Sequence, residues 1–600
     1  MKSPNTLKRT PGFLKEIAAT PGARHLGRCF DCGTCSGVCP VSEAGAEFDP
    51  RKVLHMIKMG FRESLLQSPM IWQCTACDTC SFVCPQSVRF SSIVIALREF
   101  AVRHGYPSPD GAQPLGAAPC KAACPAHISI PGFIGAILDG RYEEGLRLIK
   151  EEMPFPGICG RVCPHPCETA CNRGQVDQPV AIEALKRFLA DRNQASDPPP
   201  ISKNGPTKSE KVAVIGAGPA GLTAAYYLSI QAYPVTVFEK LPVAGGMMAV
   251  GIPEFRLPRK ILQSEIDAIQ ALGVDIRLNV EIGRDVPFKE IHKGFQAVFV
   301  GSGCDRSIRL GIPGEDECKG VMGGIDFLKA VHMGRSPKRQ GRLVVIGGGN
   351  TAVDCARVAR RLGYQDVRIL YRRTREEMPA SSWEIDETLE EGIQVQFLTA
   401  PVRILGQNGN IAGIECVRMT LGEPDASGRR RPIPVENSTY QVPADGVISA
   451  VGQRPDLTGL PFADYTTPRG LLKADLFTGM TPISGVFSGG DVVSGPKTVV
   501  EAVAAGKRAA RSIDAYLRGR SPVDEVHGEW AGISSVPGGI EHRERPAMPR
   551  ISPQESTRSF REIHMGYPED LALREAGRCL RLCGMQGRTA PEQGICKNAK

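Results

Sequence analysis

Residues 211–240 read KVAVIGAGPAGLTAAYYLSIQAYPVTVFEK, and this stretch decides the fold of the larger part of the chain. A β-branched run, KVAVI, passes into Gly216, Gly218 and Gly221 with Ala220 among them, then into a helical pattern; the next strand ends at Glu239. Gly216 permits a tight turn, Gly218 lets backbone amides approach a pyrophosphate at the helix N-terminus, and Gly221 allows the helix to pack closely on the strand. Glu239 stands 18 residues beyond Gly221, where a carboxylate accepts hydrogen bonds from a ribose. Strand, helix and acid together make an accidental GxGxxG a poor explanation.

Residues 341–380, GRLVVIGGGNTAVDCARVARRLGYQDVRILYRRTREEMPA, repeat the pattern with Gly347, Gly349 and Ala352 in the GxGxxA form and Asn350 and Thr351 opening the helix. Here Tyr371, Arg372 and Arg373 end the second strand. Positive charge at the ribose position favours a 2′-phosphate, hence NADPH over NADH; the plainer reading is a solvated arginine pair. Opposite ribose electrostatics assign FAD to the first unit and the nicotinamide to the second. A nicotinamide delivers two electrons together, and a flavin converts them to single ones.

Single electrons have an evident destination. Residues 29–40, CFDCGTCSGVCP, and 74–85, CTACDTCSFVCP, each form a CxxCxxCxxxCP run. In such pairs three thiolates bind one 4Fe-4S cube and the fourth, before Pro, reaches the other. This predicts one cluster on Cys29, Cys32, Cys35 and Cys84, and another on Cys74, Cys77, Cys80 and Cys39. Zinc needs only four ligands, and a disulfide framework suits a short secreted chain.

Composition bounds the rest. Six hundred residues exceed one core, and 42% hydrophobic with 23% charged residues is ordinary for soluble domains. No apolar stretch approaches a membrane span of roughly 18 residues. The 21 cysteines, without an export signal, suggest a reducing, cytoplasmic setting. A net charge of +9 is scattered, so nucleic-acid binding is not indicated.

Fourteen cysteines precede residue 172, which places the metal-bearing part at the N-terminus. The expected domains are a two-cluster ferredoxin-like domain at 1–105, a helical iron–sulfur domain at 106–197, a FAD-binding domain at 208–335 and 445–520, an NADPH-binding domain at 336–444, and a tail at 521–600. The fold class is thus multidomain: α-helical 4Fe-4S domains followed by an α/β, Rossmann-like flavoprotein with two dinucleotide-binding domains.

From Cys120 to about residue 520 the chain resembles the small subunit of glutamate synthase and its relatives. These include the NADPH-binding subunit of ferredoxin-dependent transhydrogenases and the N-terminal half of dihydropyrimidine dehydrogenase. The resemblance rests on APCKAACP, PGICGRVCPHPCETAC, AGGMMAVGIPEFRLP, GGGNTAVDCAR, YRRTREEMPA, AVGQRPD and FSGGDVVSGPKTVVEAVAAGKRAA. It implies that Gly246, Met247, Asp491 and Thr498 contact the flavin. It also implies that Cys124, Cys163 and Cys167 ligate a cluster with Glu183 as fourth ligand, and that Cys159 only packs. Residues 1–105 resemble the C subunit of heterodisulfide reductase, through EFDPRKVLHMI.

One departure stands out. Relatives carry Arg-Cys-x-x-Cys just before APC, and this chain does not. The C-terminal REAGRCLRLCGM supplies Cys579 and Cys583. It reads either as an exposed vestige or as a tail that folds back to complete a cluster with Cys120 and Cys171. Three cubes are expected, and four if the tail contributes. The function expected is transfer of electrons between NADPH and a redox protein through FAD and the cubes, with no protein nucleophile or acid. The partner would be a ferredoxin, a heterodisulfide-reductase-type subunit or a synthase large subunit. The alternatives are a glutamate synthase small subunit or a non-catalytic relay.

Overall fold

The computed structural model describes residues 8–580, apart from 21, 24, 44–46, 107–115, 195–202, 204, 336–340, 426, 523–530 and 533–538. The chain forms two compact units. The first comprises Met1–Pro199, Glu525–Met548 and Gly566–Lys600, and the second Pro200–Asp524 and Pro549–Met565.

The first unit is helical. Between the two cysteine runs, Pro50–Met59 forms a helix because Asp49 caps it, accepting from the Lys52 amide, Pro50 starts it, and Gly60 ends it at φ 78°. Its apolar face, Val53, Leu54 and Ile57, joins Phe13, Phe48, Leu66 and the helix Phe90–Arg103 in one core. Helices Ile130–Leu138, Tyr142–Glu152, Pro156–Val162 and Ile182–Gln194 build the following segment. Two parts of the tail are woven into it. Gly116–Ala117 pairs in parallel with Ala531–Gly532. Helix Glu569–Ala576 buries Ala572 and Ala576 completely.

The second unit contains two five-stranded parallel sheets. In the first, Val212–Ile215 lies between Val235–Glu239 and Ala297–Val300, with Asp275–Leu278 and Val486–Ser488 at the edges. The central strand is buried along its whole length, which explains its unbroken apolar run. In the second, Arg342–Ile346 lies between Asp366–Leu370 and Gly446–Ser449, flanked by Gln394–Gln396 and Val321–Gly323. This sheet is wider than the 336–444 span, since Gly446–Ser449 and Val321–Gly323 lie on either side of it. An antiparallel sheet of Thr399–Gln407, Asn410–Pro424 and Arg430–Pro443 rises from its end. In both parallel sheets the strand order reverses at the Gly-rich strand, and the crevice beyond that switch point is where such folds take ligands.

Candidate redox centres

The two Gly-rich turns have matching geometry. Gly216 sits at φ 100°, and a Cβ there would lie 2.5 Å from the Gly301 carbonyl oxygen. Gly347, at φ 146°, would meet the Ala450 oxygen at 2.3 Å. The glycines two residues on are different. A Cβ on Gly218 or Gly349 would meet nothing nearer than 4.0 Å, so each borders open space at the start of its helix. Neither helix, Pro219–Ile230 or Asn350–Arg361, has a side-chain cap. Uncapped first-turn amides beside a cleared space suit a pyrophosphate, and both sites fit a dinucleotide.

Around the first turn, buried Glu239 accepts from the Ala217 amide at 2.8 Å and the Leu241 amide at 2.9 Å. Its orientation is therefore fixed by the turn itself. Ala220 is buried, and Gly246 abuts Gly218 at the start of the helix containing Met247. Asp491 accepts from the Lys497 amide at 3.2 Å, and burial pushes its carboxyl up to about 7. Thr498 caps the helix Val499–Leu517 in a reciprocal capping box with Glu501.

Around the second turn, Asn350 is exposed, and Thr351 lies 3.4 Å from the Gln453 side-chain nitrogen. The structure divides the arginine pair. Arg372 is exposed at the end of its strand. Arg373 is 3% exposed, donates to the Arg430 carbonyl at 2.7 Å and pairs with Asp425 at 2.5 Å. A buried guanidinium must be paired, and Arg373 finds its partners in the antiparallel sheet. The expectation that both arginines are open to a ribose is corrected for Arg373, and of the pair only Arg372 is exposed.

In the helical unit, the expected cysteine sets surround two cavities. Cys29, Cys32, Cys35 and Cys84 line one of about 410 Å³. Cys39, Cys74, Cys77 and Cys80 line another of about 280 Å³. Cys80 and Phe90 border both, so the cavities share a wall. Among the described residues no three His, Cys, Asp or Glu side chains are gathered as a single metal ion requires. A four-iron cube is larger than an ion and holds its ligands further apart, as cysteines standing round a cavity do.

The backbone of these loops is specialised. Asp31, Ala76 and His165 adopt positive φ of 58°, 50° and 41°. Each directs its amide onto the sulfur two residues earlier, on Cys29, Cys74 and Cys163, at 3.4 Å. Such bonds favour thiolate and tune cluster potential. Burial, helped by the neighbouring cysteines, pushes the Cys35 thiol up to about 11 and Cys74 up to about 12, and a bound metal would supply the positive charge that ionises them.

Cys124, Cys163 and Cys167 are all buried. Glu183 stands beside them, accepting from the Cys163 amide at 3.1 Å, and burial pushes it up to about 8. Cys159 is fully buried. Cys120 and Cys171 line a third cavity together with Cys579 of the tail. The described tail is thus folded into the first unit, which corrects the exposed-vestige reading. Cys583 lies outside the described residues.

Sequence reasoning missed the cations. Lys186, 4% exposed, lies among Cys163, Cys159 and Cys167. Arg98, fully buried, donates to the Cys74 carbonyl at 2.6 Å. Lys121, 6% exposed, reaches the Ala76 carbonyl at 3.2 Å and Asp78 at 2.7 Å. Each sits where it offsets the negative charge of a thiolate-ligated cluster. The only signal was a basic residue on an otherwise apolar helix face.

Sheets, turns and cysteine loops together define a flavoprotein with two dinucleotide-binding domains and an iron–sulfur module. Pyridine nucleotide-disulphide oxidoreductase matches residues 210–506; dihydropyrimidine dehydrogenase domain II, 4Fe-4S cluster, matches 115–197; and the 4Fe-4S dicluster domain matches 25–88. The chain is 45% identical over 501 residues to the NADP(+)-dependent formate dehydrogenase subunit beta of Moorella thermoacetica, across 78% of this chain and 71% of that one. It is 43% identical over 502 residues to the NADPH-Fe(3+) oxidoreductase subunit beta of Geobacter sulfurreducens, across 77% and 75%. The glutamate synthase [NADPH] small chain of Escherichia coli is 36% identical over 425 residues, across 66% and 88%. The chain belongs to the family of the glutamate synthase small chain, NADPH-dependent FAD and iron–sulfur oxidoreductases.

Proposed function

We infer that this chain is the NADPH-oxidising electron-transfer subunit of a larger redox enzyme. In this reading FAD is held by the Gly216–Gly221 turn with Glu239, Gly246, Met247, Asp491 and Thr498, and NADPH by the Gly347–Thr351 turn with Arg372. Three cubes are held by the two four-cysteine sets and by Cys124, Cys163, Cys167 and Glu183. When bound, FAD and NADPH exchange a hydride and the cubes carry single electrons.

The residues' own work is placement and shielding. Glu239 is locked by two amides, so it meets a ribose without rearranging. Buried Arg98, Lys121 and Lys186 offset cluster charge where water cannot. No side chain is required to donate or take a proton in the transfer.

The observation that carries this reading is the shared wall. Two cavities, each ringed by one crossed set of four cysteines, meet at Cys80 and Phe90, as two cubes exchanging electrons require. The partner is a redox protein, either a subunit that oxidises or reduces its own substrate or a ferredoxin. The beta subunits align across 78% and 77% of this chain against 66% for the glutamate synthase small chain. This favours a partner of the former kind over a synthase large subunit.

Anaerobic addition of NADPH to the purified chain tests the reading. Flavin absorbance should bleach, with NADH much less effective. No bleaching would leave the chain a relay whose nucleotide site is unused.

A further inference from the structure

The cavity shared by Cys120, Cys171 and Cys579 lies apart from the three cysteine sets described above, and its size is informative. Its volume of about 370 Å³, part of it open to solvent, falls between the 410 and 280 Å³ of the two ferredoxin-type cavities taken in the same way. Its remaining wall is largely apolar, with Ile130, Ile134 and Val180. Three sulfurs separated by 51 and 408 residues converge there, brought from a helix, a loop and the tail.

The tail is built to arrive at that place. Arg578, the residue before Cys579, is 1% exposed. It donates to Asp177 at 2.8 Å, to the Gln178 carbonyl at 2.5 Å, to Glu575 at 2.8 Å and to the Arg543 carbonyl at 2.9 Å. Glu575, fully buried, accepts from the Ala181 amide at 2.6 Å. Arg173, 3% exposed, donates to the Arg578 carbonyl at 3.4 Å and the Glu541 carbonyl at 2.7 Å. Buried ion pairs contribute little net stability but impose a register, and this one fixes the residue adjoining Cys579. A second anchor is the pairing of Gly116–Ala117 with Ala531–Gly532, three residues before Cys120.

We propose that Cys120, Cys171 and Cys579 bind a fourth 4Fe-4S cluster. The C-terminal tail is then a cluster-bearing element, and the chain carries four cubes. This rests on the reading above that the chain carries iron–sulfur clusters at all.

The test is iron and acid-labile sulfide per FAD in full-length protein purified without oxygen. The wild type should hold about sixteen irons, four per cube. Cys579→Ser, Cys120→Ser and Cys171→Ser should each hold about twelve and lose the same component of the dithionite-reduced electron paramagnetic resonance spectrum. Bleaching of the flavin by NADPH should persist, which shows that the variants have folded. Cys159→Ser, altered at a fully buried thiol that does not line this cavity, should keep the wild-type count. A wild type at about twelve irons, or Cys579→Ser at the wild-type count, overturns the fourth cluster and leaves the other three standing. A wild type with no iron overturns the broader reading instead.

Discussion

Asp31, Ala76 and His165 hold a backbone conformation that costs non-glycine residues roughly 1–3 kcal/mol each, and each uses it to aim an amide at a cysteine sulfur. Strain of this kind persists where the surroundings over-determine it, and here it marks the cluster loops. The arginines at the second nucleotide turn show the same point for charge. Exposed Arg372 is available to a 2′-phosphate, whereas Arg373 is committed to Asp425 and the Arg430 carbonyl. Arg372→Ala should therefore lower kcat/KM for NADPH about tenfold, some 1.4 kcal/mol, and leave NADH nearly unchanged. Arg373→Ala should lower the unfolding temperature and keep the NADPH-to-NADH ratio. Steady-state kinetics with an artificial acceptor and both nucleotides distinguish them. His332 bears on pH. Burial, followed by the nearby charge of Arg259, lowers its pKa from 6.5 to about 4, while the Val250 carbonyl lies 2.8 Å from Nδ1. The folded state disfavours imidazolium, so the stability at stake is full above pH 6.5 and is lost as pH falls toward 4. His332→Asn should flatten that loss, by roughly 3 kcal/mol at most, in urea unfolding measured across this window.

At the scale of elements, the cysteine runs act as a crossed pair. Cys84 ends the second run yet lines the cavity of the first, and Cys39 does the reverse. Cys84→Ser should remove the cluster of Cys29, Cys32 and Cys35, and Cys39→Ser that of Cys74, Cys77 and Cys80. Iron should fall by about four per chain in each, with a different paramagnetic signal lost. A single pattern of loss for both substitutions would contradict the crossing. The two Gly-rich turns make the complementary case. Both pair a first glycine at positive φ with a second that borders open space, although their sequences differ at nearly every other position of the turn.

At the scale of the molecule, electron capacity follows from the cofactor set. FAD takes two electrons and each cube one, so four cubes predict about six per chain. A dithionite titration under argon should consume about six electron equivalents for the wild type and about five for Cys579→Ser. No described helix is long and apolar enough to cross a membrane.

The sequence alone determined the two dinucleotide-binding sheets, because GxGxxG and GxGxxA between a strand and a helix have few other uses. It also determined which cysteines share a cavity in the ferredoxin-like pair, because the CxxCxxCxxxCP spacing dictates the crossing. Such features are legible because the interacting residues lie within one turn or one short loop. Tertiary structure decided what joins distant residues. It buried Arg373 by supplying Asp425 from the turn between two strands of the antiparallel sheet, and it placed Lys186 and Arg98 beside cysteines no local pattern connects to them. It also carried Cys579 back to Cys120 and Cys171. A contact across more than four hundred residues depends on where buried charges such as Arg578 find partners, and that is settled only when the chain has folded.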